Sequence, residues 1–209
     1  MRGYALLVTG ILTFAMIILV SSLMYVIGGR LGINEQGLLV VASGLGYSLA
    51  LVCLVSFLRR TGILRELFNW VDVIRRSSVL SIMCIIVILV GGYIATEILK
   101  VEYEFPEKIN PVLMAPVLLV LAPMVEELIF RGLILKGLEC YVGREGAVIL
   151  SSLFFALVHY QALPLVFLFI MFLVGVLLAY SVVKWRTIIP SIIAHVVINA
   201  QALLFSQLF

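Results

Sequence analysis

The chain has 209 residues, of which 64% are hydrophobic and 12% charged, with a mean hydropathy of +1.27. Soluble domains are about half apolar and about a quarter charged, so this composition excludes one and points to a polytopic membrane protein. The net charge of +3 is too small for a nucleic-acid binder, and the basic residues sit beside apolar segments, where membrane topology accounts for them.

The first element, about 4–27, follows a lone Arg2. Its apolar run is too long for the core of a signal peptide, and no small-x-small cleavage site follows it, so it reads as an uncleaved first span. Six further segments qualify or nearly qualify, at about 38–58, 79–99, 112–136, 146–161, 164–183 and 188–208, each measured against the ~20 residues a helix needs to cross hydrocarbon. The fifth is short and could run on to a break at Pro164, so the expectation is an all-α transmembrane bundle of about seven spans, within six to eight, and no soluble domain. No internal repeat or low-complexity segment is present.

Between the second and third spans, residues 59–78 place Ile63, Leu64, Leu67, Phe68, Val71 and Ile74 at helical spacing among arginines and acids. This segment is expected either to be an amphipathic helix on the inner leaflet or to be an ordinary basic loop. With the N-terminus in the cytoplasm, the inside holds Arg2, Arg59, Arg60, Arg65, Arg75, Arg76, Lys136, Arg144, Lys184 and Arg186, and the outside holds Arg30, Lys100 and Lys108. A bias of ten to three favours that orientation, and an odd number of spans puts the C-terminus outside.

Cys53 and Cys84 lie within spans and Cys140 just after one. With no C-x-x-C or Cys/His cluster, neither a disulfide framework nor a cysteine metal site is expected. The final "FSQLF" has no cysteine, so the chain is not expected to be a prenyl acceptor itself.

The fourth span contains "VEELIFRG", residues 125–132. A charge at mid-bilayer costs roughly 2.5–3.5 kcal/mol on insertion scales, so intramembrane ionisable groups usually mark function. Glu127 and Arg131 are four apart and share a helix face, which suits an ion pair. Glu126 is turned about 100° away and is left as the candidate for proton transfer. The chain's two histidines, His159 in "FFALVHY" and His195 in "IIAHVVINA", also fall in spans, and Asn199 lies one helical turn beyond His195.

At ~1.5 Å per residue from the expected inner end of each span, Glu126 lies about 15 Å deep, His159 about 20 Å, His195 about 10 Å and Asn199 about 16 Å. Four polar groups on three helices therefore share one slab near the middle of a ~30 Å core. Two schemes suit them. In one, Glu126 with His159 deprotonates water for attack on a peptide carbonyl, while His195 and Asn199 donate to the oxyanion. In the other, Glu126, His159 and His195 ligate a catalytic zinc, although the H-E-x-x-H pattern is absent.

Glu126-Glu127-Leu-Ile-Phe-Arg131, Phe155-Ala-Leu-Val-His159 and His195-Val-Val-Ile-Asn199, in that order, resemble the E-E-x-x-x-R, F-x-x-x-H and H-x-x-x-N/D motifs of the CPBP (Abi) family of CAAX proteases and bacteriocin-processing enzymes. The resemblance covers roughly 112–208 and leaves 1–111 as a variable N-terminal part. It implies a helical intramembrane endopeptidase with a cavity opening toward the cytoplasm. The implied catalytic residues are Glu126, His159, His195 and Asn199, with Glu127 and Arg131 in support.

It further implies a membrane-associated or prenylated, CAAX-like peptide as substrate; membrane lipids and no nucleic acid are the expected partners, and the short chain favours a prokaryotic plasma-membrane setting. Zinc is left open, with a metal-free mechanism preferred. Two alternatives use the same polar cavity: a non-catalytic bacteriocin-immunity or scaffold protein, and a small proton-relaying transporter, for which the paired repeats that would support it are missing.

Overall fold

A computed structural model describes residues 2–32, 34–70, 72–101, 110–160 and 164–208. All regular structure among them is helical: α1 (Arg2–Arg30), α2 (Glu35–Arg60), α3 (Ile63–Leu67), α4 (Val73–Tyr93), α5 (Pro111–Pro116), α6 (Ala122–Glu127), α7 (Lys136–Leu157), α8 (Leu165–Trp185) and α9 (Ile189–Leu208). Wide, π-helical turns at Ile94–Ile98, Val117–Leu121 and Leu128–Leu135 extend α4 and join α5, α6 and α7 into one continuous helix.

Five stretches are long and apolar enough to cross a membrane: Gly3–Arg30, Glu35–Arg60, Val73–Ile98, Val112–Leu157 and Leu165–Trp185, with a shorter apolar helix at Ile189–Leu204. The difference from the expected seven has a local cause. The fourth stretch spans 46 residues and holds both the expected fourth and fifth spans, because the link at 137–145 is itself helical. It breaks only at Gly143, whose φ of 71° and ψ of −178° suit a residue without a Cβ. The chain around this break, Cys140–Glu145, is exposed.

The outer helices carry the signature of a lipid-facing surface: Ile11, Leu12, Leu19 and Leu23 on α1 are each more than half exposed. The stretch Glu127–Leu135, in contrast, is buried on every side. That is why "LIFRGLIL" shows no polar face: a helix apolar all round is the central one. It packs among α1, α7 and α8, while α6 and the turn before it lie between α2 and α9. Leu54, Leu58, Ile63, Leu67, Leu128 and Phe130 belong to the main core, and Leu80, Cys84, Val174, Leu178, Ala194 and Ile198 form a second one under α4, α8 and α9.

The 59–78 segment is not one amphipathic helix on a leaflet. α2 runs on to Arg60, only Ile63–Leu67 is helical after it, and a new helix starts at Val73; Val71 lies outside the described residues. Ile63 and Leu67 are each 1% exposed and plug the bundle, whereas Ile74 is 85% exposed. Gly62, with φ at 75°, turns the chain inward. The Leu67 carbonyl then accepts from Ile188 N–H at 2.9 Å and from Thr187 Oγ1 at 3.1 Å. Thr187 also donates to the Asn69 carbonyl at 2.9 Å. These bonds satisfy the loop backbone inside the protein, so Ile63 and Leu67 face the core instead of lipid.

Candidate active site

Adjacent positions on a helix point about 100° apart, and Glu126 and Glu127 enter different surroundings. Glu127 is sealed, with no exposure. Its Oε1 lies 3.0 Å from Arg131 Nη1 and 3.0 Å from His195 Nδ1, and Ser191 Oγ donates to its Oε2. Glu126 keeps 12% of its side chain exposed, with Oε2 3.8 Å from His195 Nε2. Tyr47 Oη donates to its Oε1 at 2.7 Å. The His195 ring is therefore held between two carboxylates. With Nδ1–H donating to Glu127, Nε2 is the nitrogen left to face Glu126 and the accessible side.

Arg131 is 1% exposed. Its Nη2 donates to the Gly175 carbonyl at 3.3 Å, and its guanidinium stacks 4.4 Å from the Phe155 ring centroid. Nη1, close to Glu127, is off hydrogen-bond alignment, so the pair is held by charge more than by a directed bond. Gly175 has to be small: a Cβ there would meet Ser152 Cβ at 3.1 Å and Phe155 Cδ1 at 3.2 Å. Without a side chain, α8 comes close enough to α7 for its carbonyl to serve the arginine.

His159 donates from Nδ1 to its own helix, at Phe155 O, 2.8 Å away; a carbonyl can only accept, so Nε2 carries the lone pair. The Phe155 ring lies 5.1 Å from the His159 ring and 5.6 Å from that of His195. Phe155 is thus the spacer that sets both imidazoles and the Arg131 plane. Asn199 Nδ2 donates to Leu118 O at 2.8 Å. The sequence explains that bond. In the wide turn Val117–Leu121 each N–H reaches five residues back, as Ala122 N–H does to Val117 O. The next donor would be Pro123, which has no N–H, so the Leu118 carbonyl is released to the amide.

The structure brings Glu126, Glu127, Arg131 and His195 into direct contact. It sets both His159 and His195 against the Phe155 ring, and it ties Asn199 to the backbone before α6. Sequence reading missed three contributors. Ser191 was legible, because Ser191, His195 and Asn199 recur every four residues on one face of α9. Phe155 was quoted in its motif but given no role. Tyr47 carried no signal beyond a hydroxyl inside an apolar span. Tyr47→Phe removes that single hydroxyl, and we expect it to lower turnover about tenfold, as loss of a hydrogen bond to a charged group does, and to shift the pH profile of cleavage. Unchanged turnover and pH profile would contradict a role for Tyr47 at Glu126.

Among the described residues no three His, Cys, Asp or Glu side chains gather closely enough to hold a metal ion. Glu126, His159 and His195 are not gathered as a zinc set: the nitrogen His195 could offer, Nε2, faces Glu126 at 3.8 Å, but His159 does not complete a group of three with them.

Residues 108–201, just under half of the chain, match the family described as type II CAAX prenyl endopeptidase Rce1-like. No curated protein and no solved structure matches the chain.

Proposed function

We propose, since residues 108–201 match the Rce1-like family, that the protein is an intramembrane endopeptidase cleaving a membrane-associated or lipidated, CAAX-like peptide with activated water. The observation that carries this reading is the inequality of the two neighbouring glutamates. Glu127, sealed and committed to Arg131, His195 and Ser191, can orient but cannot meet substrate. Glu126, partly accessible, can.

In the proposed step Glu126 takes a proton from water, helped by the lone pair on His159 Nε2, as the water oxygen bonds to the peptide carbonyl carbon. The carbonyl oxygen becomes negative and receives hydrogen bonds from His195 Nε2 and the second N–H of the Asn199 amide. To donate there, His195 carries a proton on both nitrogens, and Glu127 faces that charge. The C–N bond then breaks and Glu126 returns its proton to the leaving amine. Glu127 is a positioning residue in this scheme, fixing the ring as a buried carboxylate does in a catalytic triad. Basic residues gathered at one end of the bundle support the cytoplasmic N-terminus.

Two measurements test this. Full-length protein in proteoliposomes should cleave a prenylated CAAX-like reporter peptide and cleave its unlipidated counterpart at least about tenfold more slowly, since the reacting groups lie at membrane depth. Equal rates would overturn the substrate class, and no cleavage of either would count against an enzyme. Because the side chains do not form a ligand set, the purified protein should hold well under one zinc per chain and stay active after chelation and desalting. Stoichiometric zinc, with chelator-killed activity restored by zinc alone, would overturn the metal-free step.

A further inference from the structure

We propose that the basic end of the bundle binds an anionic phospholipid, with the headgroup phosphate among Arg65, Lys136, Arg144 and Arg186 and an acyl chain along the neighbouring face of α7 and α8. Those four cations come from three separate stretches of chain and line one cavity of about 650 Å³, against two carboxylates, Glu66 and Glu139. None of its lining residues belongs to the candidate active site. Lys136 is partnered with Glu66 at 3.1 Å. Arg65, Arg144 and Arg186 have no ion-pair partner among the described residues. Three unpaired guanidiniums around one hollow repel one another and favour an anion between them, and the planar fork of arginine matches phosphate.

The frame is built, not loose. Thr187 ties the 67–69 and 186–188 loops together through bonds to Leu67 O, Asn69 O and Asn69 N–H. Arg186 takes a left-handed conformation with φ at 52°, anchored by its N–H on Val182 O at 2.8 Å.

What selects a lipid over a free anion is the adjoining hollow of about 510 Å³. It shares Arg144, Val183 and Arg186 with the first, continues past Val148, Ile149 and Tyr180, and is also lined by Glu145 and Lys184. Ile149 is 49% exposed and Tyr180 56% exposed, both on membrane-spanning stretches. A phosphate alone would use only the charged rim, whereas a diacyl lipid fills the rim and the apolar groove together. Trp70, 71% exposed at the first cavity, suits the headgroup level, where tryptophan is enriched.

The test is native mass spectrometry of the full-length protein in detergent, incubated with equal amounts of phosphatidylglycerol and phosphatidylcholine. We expect phosphatidylglycerol to be retained about tenfold over phosphatidylcholine. Each basic side chain near an anionic headgroup is worth roughly a fivefold change, so Arg65→Gln/Arg144→Gln should erase the preference. Both arginines are exposed, and an unchanged melting curve would show that the fold survives. If the double variant fails to fold, Arg144→Gln alone should lower the preference about fivefold. Glu126→Gln, far from the cavity lining, should keep it. Equal retention of the two lipids, or an unchanged preference in the arginine variants, would overturn the proposal. So would millimolar inorganic phosphate displacing the lipid, since that would make the site one for a small anion.

Discussion

Glu126→Gln is expected to remove cleavage, by at least roughly 10²–10⁴-fold, the usual range for a general base, while the protein folds and inserts like wild type. Gln is nearly the same size, and its Oε1 can still accept from Tyr47, which now donates to Glu126 at 2.7 Å. Its amide cannot take a proton from water at useful pH. The direct ion-pair partner of the buried Arg131 is Glu127 and not this side chain. Single-turnover cleavage of a lipidated reporter in proteoliposomes, beside a thermal melt, reads both halves of the expectation. Wild-type activity in this variant would leave the proposed step without its base. Glu127→Gln should behave differently, lowering stability and activity together, because its carboxylate faces Arg131, His195 and Ser191 at once.

The second large effect is on stability. Arg131→Ala should destabilise the folded protein by roughly 3–5 kcal/mol, the cost of leaving one member of a buried ion pair without its partner. Arg131 is 1% exposed and Glu127 fully buried, so little water can screen the carboxylate that remains. The deletion also removes a donor to Gly175 O and the guanidinium over Phe155, opening a hole at the junction of α7 and α8. Melting in detergent and the yield of folded protein measure the loss. The double variant Glu127→Gln/Arg131→Met should recover much of the stability, having no uncompensated charge, but stay inactive, because His195 loses the carboxylate that fixes its Nδ1. A melt for Arg131→Ala that matches wild type would contradict the buried pair.

How much of this was legible in the sequence differs from group to group. Hydropathy alone sufficed for the helical bundle, and the i,i+4 spacing brought Glu127 and Arg131 together, because both depend on local geometry. The depth estimate put Glu126 and His195 in one slab, and they are 3.8 Å apart. It could not tell that Glu127 turns to His195 as well, because that depends on how α9 is rotated against α6. Tyr47 reaches Glu126 across 79 positions of sequence, a pairing that no periodicity records. The sequence of 59–78 leaves both an amphipathic helix and a basic loop open, because alternating apolar and basic residues look alike whether the apolar face meets lipid or a protein core. Thr187, far along the chain, decides it by holding the Leu67 and Asn69 carbonyls. The expected spans 112–136 and 146–161 leave 137–145 between them, and there the helix continues on both sides of the break at Gly143.

If the proposed step is right, peptide bonds inside the membrane are cut only while Glu126 can act as the base. The most direct measurement is quantitative mass spectrometry of peptide termini in membranes from cells carrying either the wild-type protein or Glu126→Gln at equal abundance. The expected result is a small set of new termini close to membrane or lipid anchors in wild-type membranes and their absence with Glu126→Gln. Identical termini in both membranes would contradict it.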